Sequence, residues 1–458
     1  MKIKNNSQSI QRIAQIVDDG SFQEIMSGVT TRVMVGGLKG DGLIAGTGLI
    51  SGYPIAVFSQ DFNYMGGSVG EMHAQKMAAI IRLARELHMP LVGLIDSGGA
   101  RIQEGILALE GYGSVFQELV HASGEIPLIS VMLGVCAGGA VYGPALTDIV
   151  IMNEAKAQMF ITGPRVIQQA TGEKVKIDAY GSPAVHAVLS GTVDIMATDE
   201  SNAIERAKQL LLFHAQPKVS ANRTIEKQAL VLPSESKKTY DMKSVISYVL
   251  DDLSFMEMKP RHAMNVITGF GRLFGQSVGI IANQPKYKAG VLDILASEKA
   301  ARFIQLCNAW RIPVLSFMDA VGFYPSTQEE TNGLIRKGAR LLYAFGKATV
   351  PKITLIVRKG YGGAYVAMNC KSMGADAVFA LDTAEISVMG IEAARSVLNE
   401  KHMGTLEASD GLTDGLKYGF VDDVLQWKEV ALVLSNTLAR LDRKRVDVKP
   451  TTFGNPPV

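Results

Sequence analysis

Apolar positions along the chain recur with two periods, and the alternation between them outlines its elements. Glycine-punctuated alternating stretches at 46–60 ("GTGLISGYPIAVFSQ") and 269–282 predict β-hairpins. Helical spacing of apolar residues follows at about 72–88 and 297–310, then short continuous apolar runs, "LVGLID" and "VLSFMD", that predict buried strands. A second pair of helices is predicted at about 110–122 and 330–346, each leading into another apolar strand, "LISVML" or "ITLIVR". Strand, helix, strand, helix is the order of a parallel sheet with helical crossovers, so the class is α/β.

The order occurs twice because the chain repeats itself. Gly46, Gly48 and Gly52 fall opposite Gly269, Gly271 and Gly275 at an offset of 223 residues. Lys76, Pro90, Asp96 and Gly99 meet Lys299, Pro313, Asp319 and Gly322 at the same offset. Gly138 and Gly139 then meet Gly362 and Gly363 at 224. One offset held through hairpin, helix and strand predicts a duplicated domain. The polar stretch 216–243 reads as the linker, and the expected domains are 1–225 and 226–458.

Directly after the second strand of each copy stands a bare Gly-Gly-Ala: Gly138, Gly139 and Ala140, then Gly362, Gly363 and Ala364. A glycine pair opening a helix lets a ligand approach the backbone, and first-turn N–H groups lack intrahelical partners. Backed by the helix dipole, such groups hold a phosphate or a developing oxyanion. The preceding strand ends in a neighbouring donor loop, "DSGGARIQEG" (96–105) or "DAVGFYPSTQEE" (319–330). The competing explanation is that the glycines only allow close helix–sheet packing. Their recurrence at equivalent places, each beside a glycine-bearing loop, favours a pair of oxyanion sites. The G-x-G of the hairpins has its third glycine misplaced and no helix after it, so it is not a dinucleotide fingerprint.

Composition narrows the function classes. The 458 residues exceed one ordinary core, and 46 basic against 44 acidic residues argue against a nucleic-acid binder held by bulk charge. Cys136, Cys307 and Cys370 form no C-x-x-C pair, which points to a reducing cytoplasm and no metal site. The first residues show no signal-peptide core, and no apolar run is long enough to span a bilayer. Neither a G-x-S-x-G, an H-E-x-x-H nor a Walker lysine motif is present. His186 is a lone histidine, expected to be structural. Backbone donors without a protein base suit enolate chemistry in which the substrates bring their own base.

Longer motifs carry a resemblance. "GGSVGEMHAQK", "DSGGARIQEG", "CAGGAVYGPALTD" and "FITGP", then "IPVLSFMDAVGFYP", "IRKGARLLYAF", "ATVPKITLIVRKGYGGAY" and "AEISVMG", resemble the carboxyltransferase (β) subunits of biotin-dependent acyl-CoA carboxylases. The propionyl-CoA and acetyl-CoA type is the most similar, and the likeness runs from about Arg12 to about Val424. It implies two tandem crotonase-like β-β-α superhelix domains. Acyl-CoA would bind on the N-terminal copy of one subunit and carboxybiotin on the C-terminal copy of its dimer partner. Gly138, Gly139 and Ala140 would hold the thioester oxygen as it becomes an enolate. Gly362, Gly363 and Ala364 would hold the ureido oxygen of biotin, which acts as the base. Gly98, Gly99, Ala100 and Arg101, with Gly322, Phe323, Tyr365 and Val366, would contact the substrates, Val366 lining the acyl pocket. The family assembles as a hexamer of three dimers.

No biotin-attachment sequence is visible, since "MEMKP" around Lys259 lacks the Met-Lys-Met setting, and no ATP-grasp-sized region is present. Biotin is therefore expected on a separate carrier, with biotin carboxylase also on another chain. The sequence departs from the family in Ala320-Val321-Gly322, Lys337, "DAYGSPAVH" (178–186) and a shortened stretch between "VMGIEAARSVL" and "YGFVDDV". These affect how biotin is seated and how subunits meet. Two other functions stay open: the carboxyltransferase of a sodium-pumping methylmalonyl-CoA or glutaconyl-CoA decarboxylase, and a non-catalytic scaffold that binds CoA esters.

Overall fold

Each predicted hairpin forms around a two-residue turn whose φ angles are both positive, at Ser51-Gly52 and at Phe274-Gly275. Such turns match the twist of the flanking strands, here Leu43–Ile50 with Tyr53–Gln60 and Val266–Leu273 with Gln276–Asn283. A carboxylate locks each turn. Asp18 accepts both turn amides of the first at 2.9 and 2.8 Å, and Asp251 accepts those of the second at 2.9 and 2.7 Å. The computed structural model of the chain describes residues 7–33, 37–221, 230, 232–233, 235, 238–390, 394–396, 410–444 and 457.

The chain forms two compact units, Met1–Ala215 and Gln216–Val458. In the first, among the described residues, an eight-stranded sheet begins antiparallel and turns parallel from Tyr53–Gln60 onward, through Leu91–Ser97, Leu128–Ala137, Ile149–Asn153 and Ile195–Ala197. The second repeats the plan with Gln276–Asn283, Val314–Ala320, Lys352–Tyr361, Ala377–Leu381 and Asp423–Leu425. Leu91–Ser97 and Val314–Ala320 are buried along their whole length, because helices cover both faces of a parallel sheet. That accounts for their unbroken apolar spelling.

The crossover helices Glu71–Glu86 and Ile294–Ala309 each bury an ammonium group under the hairpin. Lys76 donates to the Leu43 carbonyl and to Glu24, both at 2.8 Å. Lys299 finds four carbonyls instead, of Lys259, His262, Ala263 and Val266, at 3.0, 2.8, 3.4 and 2.7 Å. Burial pushes its pKa down to about 7. Lys259, the residue of the "MEMKP" stretch, is itself buried.

Some elements differ from the sequence reading. The helix expected at 330–346 is two helices, Thr327–Thr331 and Leu334–Lys347, because Gly333 takes φ of +94° between them. The first-copy helix starts four residues earlier than expected, at Ile106, directly after Gly105. Residues 216–221, read as linker, join the second unit: Val219 and Ser277 exchange backbone bonds with Gly275 and Pro217. The boundary expected at 225/226 lies outside the described residues, as do 391–393 and 397–409 of the shortened stretch after "VMG", whose last part is the helix Gly411–Lys417.

His73 is fully buried at the start of Glu71–Glu86, with Nδ1 against the Asp41 carbonyl at 3.0 Å and Nε2 against Gln60 at 3.3 Å. Desolvation lowers its pKa to about 3 from an ordinary 6.5. Between those values the unfolded chain binds the extra proton, so the stability this neutral ring contributes is whole above pH 6.5 and is lost as pH falls toward 3. Thermal denaturation from pH 7 to about pH 4 should therefore show a smaller fall in Tm for His73→Asn, which keeps the Nδ1-side donor, than for the wild type.

Candidate functional site

The paired glycines stand where two buried parallel strands fall out of step. In the first unit Ile95 pairs with Met132, and the next pair is Ser97 with Cys136, so two extra residues bulge from the second strand. The second unit repeats this between Met318 with Ile356 and Ala320 with Gly360. Beyond the bulge each strand is held on its far side by a short partner, Gln158–Phe160 or Glu385–Ser387, and then stops. Gly138 and Gly362, with φ of +63° and +54°, swing the chain out of the sheet into a turn.

That turn leaves amides pointing outward. The first is a 3-10 turn, Gly138–Val141, in which the Ala137 carbonyl already takes the Ala140 N–H. The Gly139 N–H, on an exposed residue, has no acceptor among the described residues. The second is α-helical, Gly362–Ala367, and leaves both Gly363 and Ala364 N–H without intrahelical partners. The expected donor role of Ala140 is thus corrected: its N–H closes the turn, and its methyl faces inward onto an apolar cavity of about 40 Å³.

The neighbouring loop brings a further donor to each turn. Gly99 and Gly322 carbonyls accept the Val69 and Leu292 amides, and the Arg101 and Tyr324 amides return bonds to Val69 and Leu292. Ala100 and Phe323 are left between, and neither N–H has an acceptor among the described residues. Gly98 donates to Gly66, and Gly99 donates to Ser97 Oγ. A Cβ on Gly99 would lie 2.8 Å from the Ala137 carbonyl, so this loop abuts the first turn. A Cβ on Gly363 would lie 3.3 Å from the Phe323 ring, which places the corresponding loop against the second.

Packing does not account for the first glycine pair. A Cβ on Gly139 would meet nothing within 4 Å. In the second unit the same test is mixed, since the Phe323 ring borders Gly363 and the Val388 carbonyl lies 2.9 Å from a Cβ on Gly362.

Arg101 does not join the site, contrary to expectation. Its guanidinium is fully buried, bonded to Asp41 at 2.6 Å, Glu104 at 2.8 Å and the Ser68 carbonyl at 2.9 Å. Glu104 in turn accepts the Glu71 amide and the Thr31 hydroxyl. Arg101 therefore fixes the path of the loop that carries Ala100, and its charge is spent inside. Tyr365 turns back against its own strand, close to Gly360, where burial pushes its pKa up to about 12. Val366 stays exposed beside Gly363. His186 is bonded to the Met159 carbonyl at 2.7 Å and to Ser190 at 2.9 Å, which braces the short strand Gln158–Phe160.

Sequence reading missed the groups behind the turns. Asp96, at the end of its strand, meets Arg12 at 3.1 Å, and Arg12 also grips Glu200 at 2.9 Å. Asp319 meets Arg358 at 3.1 Å. Burial raises the pKa of both aspartates. The two carboxylates align in the internal repeat, but their arginines do not, so self-comparison could not pair them.

The open space at Gly139 gives a direct test. Gly139→Ala should change stability by no more than about 0.5 kcal/mol. Gly134→Ala, whose Cβ would fall 2.1 Å from Asp96 Oδ1, should cost about 1–3 kcal/mol by overpacking. Urea denaturation of the two variants measures the difference.

Comparison with known proteins identifies the family. The family model described as "Carboxyl transferase domain" matches residues 3–451. The methylmalonyl-CoA decarboxylase subunit alpha of Veillonella parvula is 44% identical over 470 residues, covering 98% of this chain and 92% of that protein. The propionyl-CoA carboxylase beta chain of Saccharopolyspora erythraea is 44% identical over 417 residues, covering 86% of this chain and 76% of that one. Among solved structures, the transcarboxylase 12S hexamer core with hydrolysed methylmalonyl-coenzyme A bound superposes with a TM-score of 0.94 at 40% identity, over 99% of this chain and 93% of its own. The α/β architecture of two tandem crotonase-like domains is the one expected from the sequence. The chain belongs to the carboxyl transferase family, that of the biotin-dependent acyl-CoA carboxylase β subunits its motifs resemble.

Proposed function

We propose that this chain moves a carboxyl group between biotin on a separate carrier protein and the α-carbon of a short-chain acyl-CoA, with propionyl-CoA and methylmalonyl-CoA as the substrate pair. The observation that carries the reading is an exposed glycine amide without an acceptor, once in each unit, beside a second such amide on the adjoining loop. Similarity to a propionyl-CoA carboxylase chain and to a methylmalonyl-CoA decarboxylase subunit supports the substrate pair, since those two thioesters differ by one carboxyl group.

In this reading the N–H groups of Gly139 and Ala100 receive the thioester oxygen. As the α-proton leaves, negative charge moves onto that oxygen, and fixed donors stabilise it without reorganising. One such donor typically contributes ~3–4 kcal/mol, two to three powers of ten in rate. Gly363 and Phe323 offer neutral N–H groups to a carbonyl oxygen, with apolar walls in Phe323 and Val366, and this donor set fits a flat, uncharged ureido ring; Ala364 is wholly buried. Biotin supplies the activated carboxyl and, once relieved of it, a base. Neither step needs a cation from this chain.

Apolar side chains are exposed around both turns, among them Ile102 at 87% and Ile335 at 79%. Their exposure, with the hexamer named for the transcarboxylase neighbour, supports a dimer-based assembly in which one subunit's first turn faces its partner's second. The three buried free thiols suit a reducing cytoplasm. Among the described residues no helix is long and apolar enough to cross a membrane.

A second reading, decarboxylation of methylmalonyl-CoA, is favoured by the match to the decarboxylase subunit over 98% of the chain. The same amides stabilise the same enolate in either direction.

The purified chain, mixed with biotinylated carrier, biotin carboxylase, ATP and labelled bicarbonate, should label propionyl-CoA faster than acetyl- or butyryl-CoA. No labelling of any thioester by the folded oligomer would overturn the carboxylation. Gly139→Val should lower acyl-CoA turnover by about 10²–10³-fold, and Gly363→Val should do the same to use of carboxybiotin. Wild-type rates in either folded variant contradict the assignment of halves.

A further inference from the structure

In each unit one buried carboxylate stands at the fork where the two donor-bearing segments leave the sheet. Asp96 lies four residues before Ala100, and its carboxylate abuts the bulge that leads to Gly139, where a Cβ on Gly134 would fall 2.1 Å from Oδ1. Asp319 lies four residues before Phe323, and it accepts the N–H of Lys359, four residues before Gly363, at 3.2 Å. Each carboxylate therefore sits inside the two-residue bulge and sets the spacing between two segments that carry acceptor-free amides.

A carboxylate there needs a counter-charge. Unpaired, its field would oppose the negative charge that each turn is proposed to receive, and its burial would be costly. Both units provide an arginine, from different places. In the second unit Arg358 belongs to the bulge itself, with Nε on Asp319 at 3.1 Å, Nη1 on the Lys238 carbonyl at 2.9 Å and the Tyr240 ring 5.0 Å away. The equivalent residue in the first unit is Gly134, where a Cβ would lie only 2.1 Å from Asp96 Oδ1.

The first unit's arginine comes from the helix Gln8–Ile16. That helix corresponds to Met242–Val249: Ser9, Arg12, Ile13 and Ile16 are its buried residues, and Met242, Val245, Ile246 and Val249 are buried at the same spacing. The equivalence is anchored by Asp18 and Asp251, which follow the two helices and cap the two hairpin turns. Arg12 thus corresponds to Val245, and Gly134 to Arg358. Arginine and small residue have changed places between the copies while the guanidinium–carboxylate contact stayed.

We infer that Arg12–Asp96 and Arg358–Asp319 are positioning pairs, each fixing the separation of the two amides that receive a substrate oxygen in its half of the molecule. Neither pair touches substrate. The inference rests on the oxyanion reading above, and it explains why an arginine is retained through two independent placements where packing alone would accept an apolar residue.

The exchange between copies supplies the test. Arg12→Val, Gly134→Arg and the double variant, which gives the first unit the second unit's arrangement, are assayed for carboxyl transfer to propionyl-CoA with carrier and biotin carboxylase. Tm and oligomer size are measured beside kcat and KM. Displacement of a donor by about 1 Å can cost 10²-fold, so Arg12→Val should lose about 10- to 100-fold in kcat with little change in KM for propionyl-CoA. Gly134→Arg alone should also be impaired, and the double variant should recover most of the kcat lost by Arg12→Val. A folded Arg12→Val oligomer with wild-type kcat overturns the inference, as does a double variant no better than Arg12→Val. Should Arg12→Val fail to assemble, Arg12→Lys decides, because it keeps the charge but cannot bridge Asp96 and Glu200 as a guanidinium does: a lowered kcat at unchanged KM supports the pair, and a wild-type kcat overturns it. Gly139→Val run in parallel separates the two proposals. If it is inactive while Arg12→Val is unimpaired, only the positioning role falls; if it too is fully active, the oxyanion reading has failed.

Discussion

The molecule depends on a break in register between two buried parallel strands. A sheet in perfect register consumes its own N–H groups, and a buried strand has none to offer. The two-residue bulge after Met132, and its counterpart after Ile356, ends that consumption at a defined point. Past the bulge the chain enters a turn whose amides are covalently tied to the stiffest part of the domain. Donors of this kind spend no side-chain rotamer entropy on being positioned, which is the advantage of main chain over a serine or asparagine placed on a loop.

On the proposed function, using one device twice gives the duplication a purpose. Two substrates that each carry an oxygen gaining negative charge would present the same electrostatic requirement. A duplicated domain would meet it twice, with walls free to diverge. They have diverged: the first turn is a tight 3-10 form with open space at its exposed glycine, and the second is α-helical with the Phe323 ring beside Gly363. Two of the positions that depart from the family pattern lie in the supports. Gly181, inside "DAYGSPAVH", gives its carbonyl to the Met159 amide, and His186 bonds the Met159 carbonyl. Both brace the short strand against which the first turn is hung. Lys337 pairs with Glu298 at 2.7 Å, joining two helices that cover the second sheet.

The buried charged groups of this protein act as internal fasteners. Arg101, Lys76, Lys299 and Arg358 are all buried and all bonded to protein groups. Breaking such a contact leaves an uncompensated charge and is expensive, whereas the intact pair contributes little net stability. Their value lies in geometry. Each ties a donor-bearing loop, or the hairpin before it, to one position, which a non-directional apolar core cannot do.

Much was legible in the sequence because the features concerned are local or periodic. The hairpin turns, the buried parallel strands, the duplication and the Gly-Gly-Ala turns all leave marks in residue order, since backbone conformation and one-sided burial constrain neighbouring residues directly. Residue order could not show which amides are spent. Gly138, Gly139 and Ala140 are equally bare as letters, and only the turn type decides that Ala140 closes on Ala137 while Gly139 faces outward. Nor could it show that Arg101, next to the loop and positively charged, is turned wholly inward to Asp41 and Glu104. The clearest case is the exchange of Arg12 and Gly134 for Val245 and Arg358. A long guanidinium can reach one carboxylate from a helix or from a bulge, and the field at Asp96 depends on where the charge ends, not on where in the chain it began.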